Sequence, residues 1–577
     1  MLSFQEYASE ELILELLIKE RVKIALKNKL KNNPPKDTDA QMDNGDKLTI
    51  SEEVRLLMPS RKMWKKPCLR ERIKDESTKE KKSNKQILTR SIALTIKSHR
   101  KNPDAYPYLT RLNDFIQSIK DDIKSDRPLS FNSIRIFGKK KKINSDNITI
   151  YRPLCVFQSL RDKLLIALAS NYLTMVFDPL LHEEIISYRP LRTYHGSEQP
   201  IITNRDNAIE NLQKYRYQNK SNTMYVAECD IQKYFDTINH DVIRQCFRDF
   251  AQKIKANNPE FEYSGVERIV EAYLNSYSFF KNIIAENERF ARNHQPRMYE
   301  TPNKDLFIER GCYSEEEFIN SQDKIGIPQG GALSGLMSNV VLSSIDSASI
   351  LKEDDTKRFF CRYGDDIILI HTSKEKCRKL ITDYCNLLTQ NKLLFHDFIS
   401  LSDERFRRPD GGIRPCLWDQ KSRSPFLWGR DKDENESVDW IGFLGYEVRY
   451  TGEVRMRRSS LDDKFKYIKR QYKKIAKTKL AHRKDSKDIP DFKVIDTKVS
   501  AYIDRFATKG FSSALSLNRN KYVTTQALKL NQYASRHIYH LLYKIAKNNN
   551  IGKDMVNTWW QQAKDKNCIN YLKTIKK

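Results

Sequence analysis

The sequence predicts an α+β protein with helical regions at both ends, and three observations predict it. Between about residues 130 and 450, short apolar runs alternate with helical patterns, as expected for an α+β domain. Residues 1–30 look helical, and the chain turns helical again from about residue 458. We therefore divide the 577 residues into an N-terminal helical basic extension (1–125), a central domain (126–450) and an α-helical C-terminal domain (451–577).

The chain carries a large excess of positive charge. Lys and Arg number 103 against 75 Asp and Glu, which gives a formal net charge of +28. Hydrophobic residues make up 39% and charged residues 31%, a balance typical of a soluble globular protein. An excess this large suggests a polyanionic partner, because each cation placed on a phosphate releases a counterion. Charge alone leaves a protein with solvated basic faces as the alternative.

Neither a membrane nor an oxidising compartment is indicated. The start, MLSFQEYASEE, lacks the basic region of a signal peptide. The apolar stretch from Leu12 to Leu26 is interrupted by five charged residues, which predicts an amphipathic helix too charged to span a bilayer. The ten cysteines include no C-x-x-C pair, so a zinc site and a disulfide framework are both poorly supported. We expect a cytoplasmic protein with no membrane partner.

Each terminal region shows its own pattern. Residues 31–50 predict a polar loop, and helices are predicted around 51–58 and 85–99. Two C-terminal helices are predicted by apolar residues on one face, in the first Phe465, Ile468, Tyr472 and Ile475, and in the second Leu530, Ala534, Ile538, Leu541 and Ile545. Residues 404–437 are rich in Arg, Asp, Gly and Pro without any period, which predicts a surface insertion.

Two segments place acidic residues where strands end. In YVAECDIQKYFDTINHDVI (225–243), an apolar strand ends at Asp230. In RFFCRYGDDIILI (358–370), two strand-like runs flank a tight hairpin with Asp365 and Asp366 at its turn. Adjacent acids repel each other unless cations neutralise them. Together these carboxylates would suit two hard cations that activate a hydroxyl and stabilise a leaving oxygen in phosphoryl transfer.

A third segment, IGIPQGGALSGLMSNVVLSSID (325–346), combines a loop with a helix. Pro328, Gly330 and Gly331 predict the loop, and a helix lined with small residues is predicted from Ser334 onward. Small residues let a backbone approach a ligand closely.

The segment 225–243 resembles motif A of reverse transcriptases, the segment 325–346 resembles motif B, and the YGDD hairpin of 358–370 resembles motif C. The resemblance is to the bacterial group, which includes group II intron, retron, defence-associated and abortive-infection enzymes. Residues 150–163 and 187–190 resemble the fingers blocks that precede motif A, and WIGFLGY (440–446) resembles motif E, the primer grip. The resemblance covers roughly residues 130–450. It implies a right-hand polymerase with fingers and a palm built on an antiparallel sheet, followed by a thumb-like helical region.

The resemblance also implies roles for individual residues. Asp230, Asp365 and Asp366 would be the catalytic acids, and with Ile231 they would form the site of two Mg²⁺ ions, with Mn²⁺ as a substitute. Phe235 would pack under the sugar and exclude a 2′-hydroxyl. Arg152 would hold the triphosphate with its bidentate fork. The remaining substrate-binding residues would be Gln329, Gly330 and Tyr363, and the primer grip would be Phe443, Leu444, Gly445 and Tyr446. Asp236 also matches a family acid, with a helix-start residue as the equal alternative.

The chain departs from the family pattern at several places. Motif B usually reads Ser-Pro where this chain has Ser334-Gly335, and alanine or methionine is commoner at the Gly364 position. The motif D lysine is not evident in residues 393–402. Lys392, just before this segment, or His396 within it could replace that lysine, or neither does. YGDD also occurs in RNA-dependent RNA polymerases. No zinc-type endonuclease domain is visible, which argues against a complete group II intron protein.

The favoured interpretation is an RNA-directed DNA polymerase of bacterial antiphage defence. It would use deoxynucleoside triphosphates and a dedicated noncoding RNA as template or scaffold, and would release a DNA product. The alternatives are a retron or intron-derived reverse transcriptase, an RNA-dependent RNA polymerase, and a catalytically idle RNA-binding scaffold. Priming on a protein hydroxyl is a further hypothesis with no tyrosine nominated. Template, primer, oligomeric state, partner subunit, trigger and the role of residues 1–125 stay open.

Overall fold

A computed structural model describes most of the chain. The described residues are 2–30, 49–75, 80–132, 134–190, 192–193, 201–331, 333–406, 417, 420–430, 437–477, 496, 499 and 521–566. Of the predicted features, nearly all of the 31–50 loop, much of the 404–437 segment and the side chain of Ile475 lie outside this description.

The N-terminal region is helical, as predicted. Its elements are α1 (Phe4–Tyr7), α2 (Glu10–Leu30), α3 (Ile50–Leu57), α4 (Leu69–Arg72), β1 (Ile73–Asp75), β2 (Glu80–Lys81), α5 (Asn84–His99) and α6 (Tyr108–Lys124). Capping boxes at Ser3, Thr49 and Ser83 begin α1, α3 and α5, because each hydroxyl accepts a bond from the N3 backbone amide. The sequence predicted an amphipathic helix over Leu12 to Leu26. Helix α2 buries more than one narrow face, since Leu17, Ile18 and Val22 are all buried.

The next segment contains a long hairpin and two long helices. Its elements are β3 (Ile134–Ile143), β4 (Thr149–Phe157), α7 (Leu160–Phe177), β5 (Arg192–Thr193), β6 (Ile201–Ile202) and α8 (Arg205–Gln218). Strands β3 and β4 pair antiparallel, and the far end of β3 is exposed. Helix α7 is largely buried and shares one hydrophobic core with α2, α3 and α6. The N-terminal region therefore does not have a core separate from that of the central domain.

The middle of the chain alternates short strands with helices. Its elements are β7 (Tyr225–Asp230), α9 (Tyr234–Thr237), α10 (His240–Asn257), α11 (Ser264–Asn275), a π-helical turn (Phe280–Ile284), α12 (Ala285–Arg292), β8 (Arg297–Tyr299), α13 (Lys304–Glu309), α14 (Glu315–Ser321) and α15 (Ser334–Ala348). Asn239 caps α10 with its side-chain oxygen, and α10 then packs against α15. Strand β8 adds to the β3–β4 hairpin.

A six-stranded sheet forms the centre of the molecule. It is completed by β9 (Arg358–Tyr363), β10 (Asp366–His371), α16 (Lys374–Gln390), β11 (Phe398–Ile399), β12 (Ser422–Trp428) and β13 (Ser437–Val438). The strand order is β11-β12-β7-β10-β9, and β13 pairs with β12. Along β12, β7, β10 and β9 each strand runs antiparallel to its neighbour, whereas β11 and β13 run parallel to β12. The α+β prediction is confirmed, with a mixed rather than purely antiparallel sheet.

Strand β12 corrects the prediction that 404–437 is a surface insertion. Ser422–Trp428 is a sheet strand next to β7 and is almost entirely buried. Its charged member, Arg423, enters the interior as an ion pair with Glu228, its cross-strand partner on β7. A buried charge is tolerated when an opposite charge compensates it. A strand with polar and charged residues can therefore be buried, which is why the composition of this segment wrongly indicated a surface loop.

The sheet separates two hydrophobic cores. Along β10, Ile367 and Leu369 face the core that contains α7 and α10, whereas Ile368 and Ile370 face the other core. Side chains alternate between the two faces of a strand, so a strand covered on both faces is apolar throughout. This arrangement explains the unbroken apolar run after Asp366.

The second core also holds the C-terminal elements. These are β14 (Trp440–Phe443), β15 (Tyr446–Arg449), β16 (Val454–Met456), α17 (Arg458–Ala476), α18 (Lys521–Asn548) and α19 (Lys553–Lys566). On α18 the five predicted apolar positions are all buried, and α18 packs against α17, α19 and β16. No helix among the described residues is long and apolar enough to cross a membrane.

Candidate active site

The three predicted acids lie at one end of the central sheet. Asp230, the last residue of β7, is the direct cross-strand partner of Asp366, the first residue of β10. Asp365 precedes Asp366 in the β9–β10 turn, and its carbonyl oxygen accepts a bond of 3.4 Å from the amide of Ile231. Gly364 has φ +71°, which a two-residue hairpin turn with glycine first requires. The hairpin predicted from the sequence therefore places Asp365 and Asp366 beside Asp230.

The carboxylates of Asp230, Asp365 and Asp366 lie close enough together to repel one another. Burial raises the pKa of Asp365 to about 6, and the charges of Asp230 and Asp366 add to that rise. Asp366 lies at the exposed edge of the group, yet the surrounding protein and then Asp230 raise its pKa as well. Such a cluster is stabilised by any cation that enters it.

A lysine that was not predicted supplies such a cation. Lys421 Nζ lies 2.5 Å from Oδ2 of Asp230, whose side chain is nearly buried. Burial opposes the ammonium charge, but the hydrogen bond to Asp230 and the charges of all three acids outweigh it and raise the pKa of Lys421. Lys421 immediately precedes β12, in the segment predicted to be an insertion, so no sequence signal linked it to the acids.

The donor set suits a hard divalent cation, since carboxylate oxygens are the ligands that Mg²⁺ prefers. Within the described part of the chain, however, no three His, Cys, Asp or Glu side chains already form a group that could hold a metal ion. One oxygen of Asp230 is bonded to Lys421 instead. A cation bound by Asp230, Asp365 and Asp366 would therefore have to compete with Lys421.

Phe235 lies at the start of α9, in the segment that follows Asp230. Its ring contacts Tyr234, with centroids 5.6 Å apart, and Tyr188, with centroids 5.9 Å apart and planes at 83°. Its carbonyl oxygen accepts a bond from the amide of Ile327, which joins it to the loop before α15. Phe235 is only half-buried.

Gln329 and Asp236 form a hydrogen-bonded pair. Gln329 Nε2 donates to Asp236 Oδ1 at 2.7 Å, and the carbonyl oxygen of Gln329 accepts a bond from the amide of Cys155 on β4. Asp236 is buried, and burial raises its pKa to about 7 against the pull of Gln329, Lys233 and Arg152. Asp236 is thus both a first-turn residue of α9 and a partner of the loop glutamine.

The other predicted substrate residues lie on three different elements. Arg152 is exposed on β4 opposite Lys139, and its charge partly opposes the rise in the pKa of Asp236 and of Tyr188. Gly330 has φ +90° in the loop before α15, with open space around it. Tyr363 ends β9 and is 36% exposed.

The four predicted primer-grip residues form a tight turn. Phe443 pairs with Tyr446 across β14 and β15, and the turn residues Leu444 and Gly445 have φ +49° and +84°. A two-residue hairpin loop matches the twist of its strands when both loop residues have positive φ. The turn is fixed to α17 by a bond from the amide of Arg457 to the carbonyl oxygen of Gly445.

The two suggested replacements for the motif D lysine differ in position. Lys392 forms an ion pair with Glu317 and lies over the ring of Tyr313, away from the acids. His396 lies beside them, since its amide donates to the carbonyl oxygen of Asp230 at 3.0 Å. The lysine that does reach the acids is Lys421, from a different segment.

A buried polar network supports the acidic turn from behind. Arg362 on β9 donates to Asp346 Oδ2 at 2.8 Å and to Asn339 Oδ1 at 3.1 Å, both on α15. Asn339 Nδ2 donates to the carbonyl oxygen of Ser187, and Ser187 Oγ accepts a bond of 2.6 Å from the amide of Gly364. The network joins the hairpin, α15 and the segment around Ser187 into one support.

Part of the chain matches a known protein family, and the fold has distant structural relatives. Residues 139–397 match the family described as "Reverse transcriptase (RNA-dependent DNA polymerase)". Apo telomerase from Candida tropicalis is 10% identical with a TM-score of 0.33, and the match covers 76% of this chain and 65% of that one. Telomerase from Candida albicans in complex with a TWJ fragment of telomeric RNA is 10% identical with a TM-score of 0.31, covering 81% and 65%.

The telomerase likenesses are weak. This chain spans less than two thirds of the length of either telomerase, and similarity at these TM-scores carries no argument about function. No curated protein matches the sequence.

Proposed function

Residues 139–397 form a reverse transcriptase domain, and from this premise we propose that the whole chain copies RNA into DNA from deoxynucleoside triphosphates. The observation that carries the proposal is the meeting of Asp230, Asp365 and Asp366 at one sheet end. Phosphoryl transfer needs a concentrated negative site that can hold divalent cations. Asp230 and the Asp365–Asp366 turn come from distant segments of the chain and meet at this sheet end. Unrelated surface acids would not be expected to cluster in this way.

We infer that Mg²⁺ is the cation, with Mn²⁺ as a substitute. Asp230, Asp365 and Asp366 would hold it, and Ile231 would contribute from the adjoining backbone. When bound, the ions would activate the primer hydroxyl and stabilise the leaving oxygen. The chain itself supplies the exposed Arg152 for the triphosphate and the half-buried ring of Phe235 for the sugar.

We further propose that the enzyme acts in antiphage defence in the bacterial cytoplasm, with a dedicated noncoding RNA as template or scaffold. The resemblance to defence-associated enzymes, the helical N-terminal region and the basic C-terminal helices support this. The net charge of +28 fits a nucleic-acid partner.

One observation favours a second candidate, a catalytically idle RNA-binding scaffold. Lys421 already neutralises Asp230, so the site is internally compensated without a metal ion. In an idle scaffold this ion pair would persist in the presence of Mg²⁺ and nucleotide.

The decisive experiment purifies the full chain with its co-expressed RNA and measures incorporation of labelled deoxynucleotides with Mg²⁺. We expect incorporation by the wild type and none by Asp365→Asn, a variant of nearly equal size that removes one charge. Sequencing of the bound RNA and of the product would identify the template. RNA binding without any incorporation would favour the scaffold instead.

A further inference from the structure

Tyr188 has an unusual conformation next to the acidic site. Its backbone φ is +56°, in the left-handed region that side chains other than glycine, asparagine and aspartate rarely adopt. The residue is nevertheless 51% exposed. Strained residues of this kind persist only where the surroundings hold them, and they concentrate at functional sites.

Both neighbours of Tyr188 are firmly anchored. Ser187 is buried, and it bonds the amide of Gly364 on one side and Asn339 on the other. Arg189 forms an ion pair with Asp178 in which both side chains are almost fully buried. These anchors fix the backbone on either side of Tyr188 and so set where its ring begins.

The ring of Tyr188 fits between three elements of the site. A Cβ atom added to Gly335 on α15 would lie 2.8 Å from Cγ of Tyr188, closer than real contacts allow. Gly364 lies on another side of the ring, where an added Cβ would be 3.5 Å from Cε2. Gly335 stands where the family usually has proline, so this departure from the family pattern is explained by the room that Tyr188 needs.

The third neighbour is Phe235. Phe235 has Tyr234 on one side and Tyr188, edge to face, on another. Tyr234 is buried, and its hydroxyl donates to the carbonyl oxygen of Ser338, so it forms a fixed wall. Tyr188 forms the other wall, which is half-exposed. Without it, the Phe235 ring would gain room to turn away from a bound sugar.

We propose that Tyr188 is a positioning residue that holds the Phe235 ring in place and thereby sets the discrimination between deoxyribo- and ribonucleotides. The proposal rests on the proposed polymerase function. It assigns no chemical step to the Tyr188 hydroxyl, because the contact with Phe235 is made by the ring. Phenylalanine at position 188 should therefore preserve the discrimination, and alanine should weaken it.

The test measures incorporation of dTTP and of UTP on oligo(dT)-primed poly(rA) by the full chain. For Tyr188→Ala we expect the ratio of UTP to dTTP efficiency to rise by about 2- to 12-fold, the range that corresponds to loss of one aromatic pair. Tyr188→Phe should keep the wild-type ratio. Tyr543→Ala, which removes another exposed tyrosine, 44% exposed on α18, is the matched control and should leave the ratio unchanged.

Two further variants keep the proposal falsifiable if Tyr188→Ala folds poorly. Gly335→Ala keeps Tyr188 but displaces its ring, so it should raise the same ratio. The double variant Tyr188→Ala/Phe235→Ala should match Phe235→Ala alone, because both changes act through one ring. An unchanged ratio in both Tyr188→Ala and Gly335→Ala, or an equal loss of both nucleotides, would overturn the role of Tyr188. Absence of dTTP incorporation by the wild type would instead overturn the polymerase function.

Discussion

Lys421 Nζ lies 2.5 Å from Oδ2 of Asp230, although 191 residues separate the two in the sequence. The contact depends on β12 lying beside β7 in the central sheet. It makes Lys421 the cation that compensates three neighbouring carboxylates. Its removal should therefore reveal how much the acidic site depends on an internal positive charge.

We predict that Lys421→Ala destabilises the protein in EDTA by about 1 kcal/mol, a modest value because the lysine is more than half exposed. Mg²⁺ should reduce the difference, because a divalent cation would neutralise the same carboxylates. Thermal unfolding with EDTA and with Mg²⁺ measures both effects. Lys379→Ala, at an exposed position on α16, is the control. Equal destabilisation in both solutions would contradict the interpretation.

Sequence patterns predicted the site where local signals coincide with tertiary structure. Asp230 follows an apolar run, and Gly364-Asp365 joins two further apolar runs, so strand ends and turn chemistry placed all three acids correctly. The helices at 51–58 and 85–99 were predicted for the same reason, since capping residues and periodic apolar positions agree there.

Strand β12 and Lys421 could not be predicted in this way. Ser422–Trp428 contains Pro425 and Arg423, which are unfavourable within a strand. The burial of Arg423 depends on its ion pair with Glu228, which is far away in the chain. Tyr188 was recognised only as part of a fingers block. Its role depends on contacts with Phe235 and Gly335 that no local pattern encodes.

Phe235→Val should raise ribonucleotide incorporation relative to deoxyribonucleotide incorporation. The half-buried ring contacts Tyr188 and Tyr234, and a smaller side chain would leave space for a 2′-hydroxyl. Deoxynucleotide incorporation by the same preparation serves as the internal control for folding. A ratio equal to that of the wild type would exclude Phe235 as the residue that senses the sugar.

Asp236→Asn should change how stability depends on pH. Burial raises the Asp236 pKa from its usual 3.8 to about 7 in the folded protein. The folded state therefore binds this proton more tightly than the unfolded state, so the carboxyl contributes stability that is present below about pH 4 and is lost as the pH rises to 7. Asparagine keeps an oxygen acceptor for Gln329 but has no proton to lose.

The stability of Asp236→Asn relative to the wild type should accordingly increase between pH 5 and pH 8. Chemical unfolding at intervals across this range measures the difference. Asp114→Asn, an exposed change on α6, should show no such trend. A relative stability that stays constant or falls with pH would show that Asp236 is not the buried proton-binding group described above.

The buried ion pair between Arg362 and Asp346 leads to the largest expected loss of stability. Both side chains are completely buried, and the pair joins β9 to α15 behind the acidic turn. Asp346→Ala would leave the guanidinium without its charged partner, which should lower the free energy of unfolding by about 3–5 kcal/mol. Urea denaturation measures the loss.

Replacing both residues, as in Arg362→Met/Asp346→Leu, should cost less than Asp346→Ala alone, because no buried charge remains. Glu15→Ala breaks an exposed ion pair on α2 and should cost less than about 0.5 kcal/mol. If Asp346→Ala were no more destabilising than Glu15→Ala, the pair could not be what holds the hairpin against α15.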